Sequence, residues 1–163
     1  MNEIEQQVLT VASATGVPFE QFPCDPELAD TAEFCEHYGY LPDDSANTIV
    51  IASKGESPIY VACVVLATHR LDVNGAVRKR LGVRKVSFAP AEITAAVTGM
   101  VMGGVTPFGL PESLPLWIDS AVMHRERIVV GGGSRSLKIV GPPEMLSALP
   151  AAEVVEGLAR PMM

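Results

Sequence analysis

A chain of 163 residues, 48% of them hydrophobic, has enough apolar material for one core. Such a domain buries roughly 70% of its extended surface, so neither a disulfide nor a metal staple is required. The formal charge of −7 argues against a broad nucleic-acid groove, the apolar fraction excludes disorder, and the apolar runs are too short and interrupted to cross a bilayer.

The charge is unevenly placed. Residues 1–56 hold eleven acids and Lys54 alone as a base, residues 57–138 hold ten bases against five acids, and residues 139–163 are acidic again. The middle third can therefore meet a polyanion locally, such as one end of an RNA, although an ordinary mixed surface explains it equally well. Cys24, Cys35 and Cys63 form no CxxC pair, and the amino terminus lacks the basic-then-apolar order of a secretory signal. Both fit a reduced, cytoplasmic protein.

In chain order, Asn2–Ala14 reads as a helix with Ile4, Val8 and Val11 on one side, stopped by Gly16 and Pro18. Pro18–Phe22 is extended. Pro26–Tyr38 is expected as a second helix, capped by Asp25 and ended by Gly39. A turn at Leu41–Asp44 leads into two strands, Asn47–Ser53 and Ile59–Ala67, paired as neighbours, and the apolar run Val61–Leu66 marks the second as central. Asp72 caps a short basic helix ending near Leu81-Gly82, Arg84–Phe88 is extended, and Pro90 opens a helix to Val97. Beyond a Gly-rich loop come a strand at Leu116–Ile118, a single turn at Ser120–His124, and strands at Ile128–Val130 and Leu137–Val140. Pro142–Leu149 and Ala151–Leu158 are expected to close the chain as helix. This spacing lacks regular βαβ units. It points to a single α+β domain with a curved, mixed, partly barrel-like sheet and peripheral helices.

Two Gly clusters carry the chemistry. Gly103-Gly104-Val105-Thr106-Pro107-Phe108-Gly109 combines permissive backbone with a Pro-fixed φ, so it can present a rigid row of N–H groups to a carbonyl or a developing oxyanion. Thr106 adds a hydroxyl that can orient water or a ribose hydroxyl. The same residues also suit a tight structural turn. Gly131-Gly132-Gly133-Ser134-Arg135 can form a second wall, with Arg135 forking onto a phosphate, or a plain hairpin turn. Asp119 can orient the loop, position water or cap the turn at Ser120, and Asn47 can hold a carbonyl or hydroxyl. Arg78, Lys79, Arg80, Arg84 and Lys85 form the best RNA-contact patch, without the interleaved aromatics that stack bases. His37, His69 and His124 show no metal-ligand spacing, and no GxSxG elbow is present.

Thr98-Gly99, Gly103–Pro111, Leu116-Trp117-Ile118-Asp119 and Gly132-Gly133-Ser134-Arg135, in this order and spacing, resemble the YbaK/ProX family of prolyl-tRNA-synthetase-associated editing domains. The similarity runs from about residue 31 to 146 of one domain spanning 1–163. It implies hydrolysis of the ester joining a wrong amino acid to the 3′ end of a tRNA, after release from the synthetase, with no metal or organic cofactor. The partner implied is the tRNA acceptor end or aminoacyl-tRNA; a homo-oligomer is compatible, a membrane is not. Gly103, Thr106, Asn47 and Asp119 are the implied catalytic positions. Gly104, Val105, Pro107, Phe108 and Gly109 of the first loop, with Gly132, Ser134 and Arg135 of the second, are the implied substrate contacts. The nucleophile implied is a positioned water. Family deacylases commonly carry a Lys where this chain has Asn47, within Ala46-Asn47-Thr48-Ile49-Val50. Altered substrate, replacement by another base such as Arg135, and a non-catalytic aminoacyl-tRNA or acyl-ligand binding module all stay open on sequence grounds. So does hydrolysis of a small acyl ester unrelated to tRNA.

Overall fold

The structure, a computed structural model, describes residues 1–162. Its helices are α1 (Glu3–Ala14), α2 (Thr31–Tyr38), α3 (Arg78–Leu81), α4 (Ala91–Thr98) and α5 (Glu144–Ser147). The strands are β1 (Glu20–Pro23), β2 (Ala46–Ser53), β3 (Tyr60–Leu66), β4 (His69–Leu71), β5 (Val86–Phe88), β6 (Leu116–Asp119), β7 (Ile128–Gly131), β8 (Leu137–Gly141), β9 (Ala152–Val155) and β10 (Ala159–Pro161).

The apolar run of β3 organises the main sheet. β3 pairs antiparallel with β2 and parallel with β6, giving the order β5-β2-β3-β6-β9. Because strand side chains alternate, Ala62, Val64 and Leu66 enter one apolar cluster while Val61, Cys63 and Val65 enter another on the opposite face. All six are buried, so β3 is central, as its unbroken hydrophobicity predicts. The first cluster also takes Val8 and Ala12 of α1, Phe108, and Ile128, Val130 and Ile139 of the second sheet, β1-β8-β7. Burying each large side chain there contributes about 1.5–3 kcal/mol before entropy is counted. The third sheet is the pair β10-β4. The five-stranded sheet is mixed, as expected, but among the described residues the sheets do not close into a barrel.

Two expected helices differ. Pro26–Tyr38 is not continuous: Asp25 caps a single 3-10 turn, Pro26–Leu28, and α2 begins only at Thr31 because Asp30 is extended (ψ 145°). The break lets the Asp30 carboxylate and the Pro26 carbonyl both accept from Arg135, at 3.1 and 3.0 Å. Ala151–Leu158 is not helical either. It holds β9, paired in parallel with β6 from Leu116↔Ala152 to Asp119↔Val155, where the Val154-Val155 pair suits an extended backbone.

α1 is closed by a capping box, in which the Asn2 side chain accepts from the Glu5 N–H and Glu5 Oε1 accepts from the Asn2 N–H. The other oxygen, Oε2, accepts from Ser134 Oγ at 2.7 Å, tying the helix start to the second Gly cluster. Burial pushes the Glu5 carboxyl up, but the bonds from Ser134 and Asn2 outweigh it and hold it below its ordinary value of 4.5. A lowered carboxyl stabilises the fold above its unfolded value and loses that contribution as pH falls through the folded one. Glu5→Gln is therefore expected to lower Tm at neutral pH. The gap from the unmutated protein should shrink as pH is taken below 4.5, which thermal melts across pH 3–7 check.

Candidate functional site

Strands β2 and β7 touch at one parallel bridge, Ser45↔Val129, and then part, β2 into the five-stranded sheet and β7 into the three-stranded one. A buried Asp44 accepting from Arg125 Nε at 2.9 Å pins this apex. β5 pairs β2 only over Ile51–Ser53, so the first half of β2 is a free edge facing the gap. The resulting cleft holds about 280 Å³, at the lower end of ligand-pocket sizes. Its walls are the start of β2 (Ser45–Ile49), the start of α2 with Ala29 and Asp30, the end of β7, Lys138 of β8, and Met102, Gly103 and Val105. A wider hollow along Ser13–Gln21 is an open surface groove.

The two Gly clusters do not face each other across the cleft. They pack backbone on backbone and build one wall. A Cβ on Gly104 would lie 2.7 Å from three Ser134 main-chain atoms, and one on Gly131 would lie 2.5 Å from the Val105 carbonyl oxygen. The Gly133 N–H donates to the Gly104 carbonyl at 2.8 Å, and Gly104 N–H closes a turn onto Val101. Gly103 sits at φ +88° with the Arg135 guanidinium over it. Among the described residues, nothing accepts from the N–H groups of Gly103, Val105 or Thr106. Free amides of Gly103 and Val105 thus occur on segments that line a cavity. A carbonyl oxygen entering the cleft can satisfy such donors with little reorganisation.

Of the sequence-derived candidates, the structure brings Asn47, Gly103 and Val105 together on the cleft wall. Asn47 Oδ1 accepts from Thr31 Oγ1 at 3.3 Å, joining β2 to the start of α2. Gly104, Gly132 and Ser134 lie behind the lining: Gly132 is packed against Leu137 in the β7–β8 hairpin, and Ser134 is held by Glu5. Arg135 sits at the rim, tied to Asp30 and Pro26. Pro107 is buried, Phe108 is wholly buried in the main core, and Gly109 lies against Met100 and α1.

Thr106 and Asp119 are placed elsewhere than expected. Thr106 is 0% exposed and its Oγ1 has no partner, so its hydroxyl faces protein rather than a solvent-reachable water. Asp119 is 2% exposed and Oδ1 accepts from the Ala159 N–H at 3.1 Å, with no side-chain bond to the turn at Ser120. It fastens β10 to the end of β6 and lies outside the cleft lining. In the basic patch, Arg80 pairs with Glu153 and lies over the Trp117 ring at 5.1 Å, while Arg78 Nε donates to the Asn74 carbonyl.

Thr48 and Lys138 line the cleft and lie outside the sequence-derived candidates. Thr48 has a buried Oγ1 without a partner. Lys138 interrupts the apolar strand Leu137–Val140, and that interruption was the available signal. Its Nζ lies 5.5 Å from the Phe34 ring centroid, and burial pulls its pKa below the ordinary 10.5. The Cys63 thiol is buried in the sheet and pushed up to about 12, which removes it as a nucleophile. Among the described residues, no three His, Cys, Asp or Glu side chains are grouped to hold a metal. No helix there is long and apolar enough to cross a membrane.

The site is thus a small cleft in an α+β domain, and among the described residues no histidine or cysteine lines it. The family model for the aminoacyl-tRNA editing domain matches residues 25–149, and the chain belongs to that family. It is 26% identical over 142 residues to EbsC of Enterococcus faecalis, whose name assigns it Cys-tRNA(Pro) and Cys-tRNA(Cys) deacylation; the match covers 86% of this chain and 85% of EbsC. A crystal structure described as a trans-editing enzyme for prolyl tRNA synthetase superposes with TM-score 0.82 at 19% identity, covering 99% of both chains. A hypothetical protein of known structure does so with TM-score 0.82 at 23% identity, covering 94% of this chain and 99% of the other. These two likenesses define the fold.

Proposed function

We propose that this protein is a trans-acting deacylase that hydrolyses the ester between a wrong amino acid and the 3′-terminal ribose of a tRNA. The carrying observation is the pair of free amides, Gly103 and Val105, on the wall of the cleft. Water adds to the ester carbonyl carbon, and the carbonyl oxygen takes the electron pair while those amides donate to it. Collapse then breaks the bond to the ribose oxygen, which leaves with the proton that water lost. The products are the free amino acid and a tRNA with its terminal hydroxyl restored. Asn47 suits orientation of the ribose or the attacking water, since it lines the cleft and carries a neutral hydrogen-bonding group. Phe34 and Val130 give the cleft an apolar side that suits a small side chain. The assigned substrates of EbsC make Cys-tRNA(Pro) the first to test. Such work belongs in the cytoplasm, where tRNA is charged.

The test is the decay of Cys-tRNA(Pro), Ala-tRNA(Pro) and a panel of correctly charged tRNAs, with and without the purified protein, in the presence of a chelator. Faster loss of at least one mischarged species, unaffected by chelation, is expected. Unchanged lifetimes across the panel would overturn the reading.

A further inference from the structure

Lys138 stands out because a half-buried ammonium is left without an acceptor. It lines the cleft from β8, and its Nζ rests against the face of Phe34, another lining residue. Among the described residues, no carboxylate lies within ion-pair distance of it and no hydrogen bond engages it. Asp30, in the same lining, accepts from Arg135 through Oδ1 and attracts the ammonium only from beyond ion-pair distance. An ammonium has three donors and no acceptor capacity, so a desolvated one is costly until an oxygen reaches it.

The strand register puts Lys138 beside Gly131, the residue against which the Gly loop packs. Lys138 pairs with Gly131 across β7 and β8. Gly131 in turn is the residue whose missing Cβ admits the Val105 carbonyl at close range. The lysine therefore rises one strand away from the peptide that carries the free amides. Asn47, across the cleft, supplies no charge.

We propose that Lys138 is a catalytic residue whose ammonium donates to the carbonyl oxygen of the aminoacyl ester and holds the negative charge formed there when water adds. This rests on the deacylase reading above. Lys138 gains and loses no proton over the cycle. The electron pair moves onto the carbonyl oxygen, returns to re-form the carbonyl, and expels the ribose oxygen. Charge on that oxygen is greatest in the transition state, so the contact acts on kcat more than on KM. A phosphate of the tRNA end would satisfy the same ammonium, and the substrates below separate the two sources.

Lys138→Met and Lys138→Arg are compared with the unmutated protein on Cys-tRNA(Pro) and on phosphate-free 3′-cysteinyl-adenosine. Binding of the non-hydrolysable amide, 3′-cysteinylamino-adenosine, is measured alongside. Lys138→Met should lower kcat on both esters roughly 10²-fold and weaken the amide about tenfold, with Lys138→Arg partly restoring both. Its Tm should equal or exceed that of the unmutated protein, because a desolvated charge has been removed. Unchanged hydrolysis of 3′-cysteinyl-adenosine by folded Lys138→Met, or a loss confined to KM on the tRNA, overturns the proposal. If the unmutated protein binds the amide but cleaves no ester, the deacylase reading fails and the Lys138 contact is still decided by the affinity of Lys138→Met. If it neither binds nor cleaves, both fall.

Discussion

Gly103→Val is expected to reduce deacylation by roughly 10²-fold or more, while the protein stays folded at room temperature. Two independent features of the site require this. Gly103 has φ +88°, a region that a β-branched residue occupies only under strain costing about 1–3 kcal/mol. A Cβ would also come within 2.1 Å of Arg135 Nη1, the end of a long side chain that can swing aside by releasing its bonds to Asp30 and Pro26. The strain is thus local, and a fall in Tm on the order of 5 °C is expected for a chain of this size. Relief of the strain would turn the peptide on either side of residue 103 and redirect its free N–H away from the incoming carbonyl. Single-turnover deacylation set beside a thermal melt separates the two effects. A variant that melts a few degrees early but cleaves at the original rate would show that the loop does not hold the carbonyl.

Gly131→Ala tests the same wall from behind. Gly131 has no positive φ, so a methyl group there meets no backbone strain. It meets the Val105 carbonyl oxygen at 2.5 Å and the Gly104 carbonyl oxygen at 3.1 Å. Both are main-chain atoms in a tight turn and cannot step aside as a side chain end can. The Gly104–Val105 peptide must lift off β7, at an overpacking cost of about 1–3 kcal/mol. Misplacing a catalytic donor by about 1 Å is itself worth about 10²-fold in rate. Gly131→Ala should therefore lose both stability and turnover although residue 131 donates nothing to the substrate. The opposing strand offers an internal check. Lys138 is paired with Gly131, so its environment should shift in the variant, and a change in its titration by NMR would report the displaced wall.

The close packing of the Gly loop was legible in the residues because it is local. Gly-Gly followed by Pro announces backbone that comes close to something, and Gly104 lies against the Ser134 main chain. The roles of Thr106, Phe108 and Asp119 were not legible. Each lies within or beside a motif of the right composition, yet each points into packed protein. Direction of a side chain from an irregular loop depends on what fills the space behind it, and that space is made by α1 and the second sheet. Lys138 was hidden for the converse reason. A charged residue in an apolar strand reads as its solvent-facing phase, and only the seating of Phe34 over β8 makes that phase a cavity wall.

The amino-acid order alone determined the central strand, the β2–β3 pairing, the first helix and the close backbone approach of the Gly loops, because alternation, helical periodicity and permitted φ act over a few residues. Tertiary structure decided the rest. It made Ala152–Val155 a strand by offering it the open edge of β6, broke the second helix to feed Asp30 to Arg135, and parted β2 from β7 beyond a single bridge. Those outcomes depend on surfaces brought together from distant parts of the chain, and the burial and hydrogen bonding gained there exceed the weak local preferences they override.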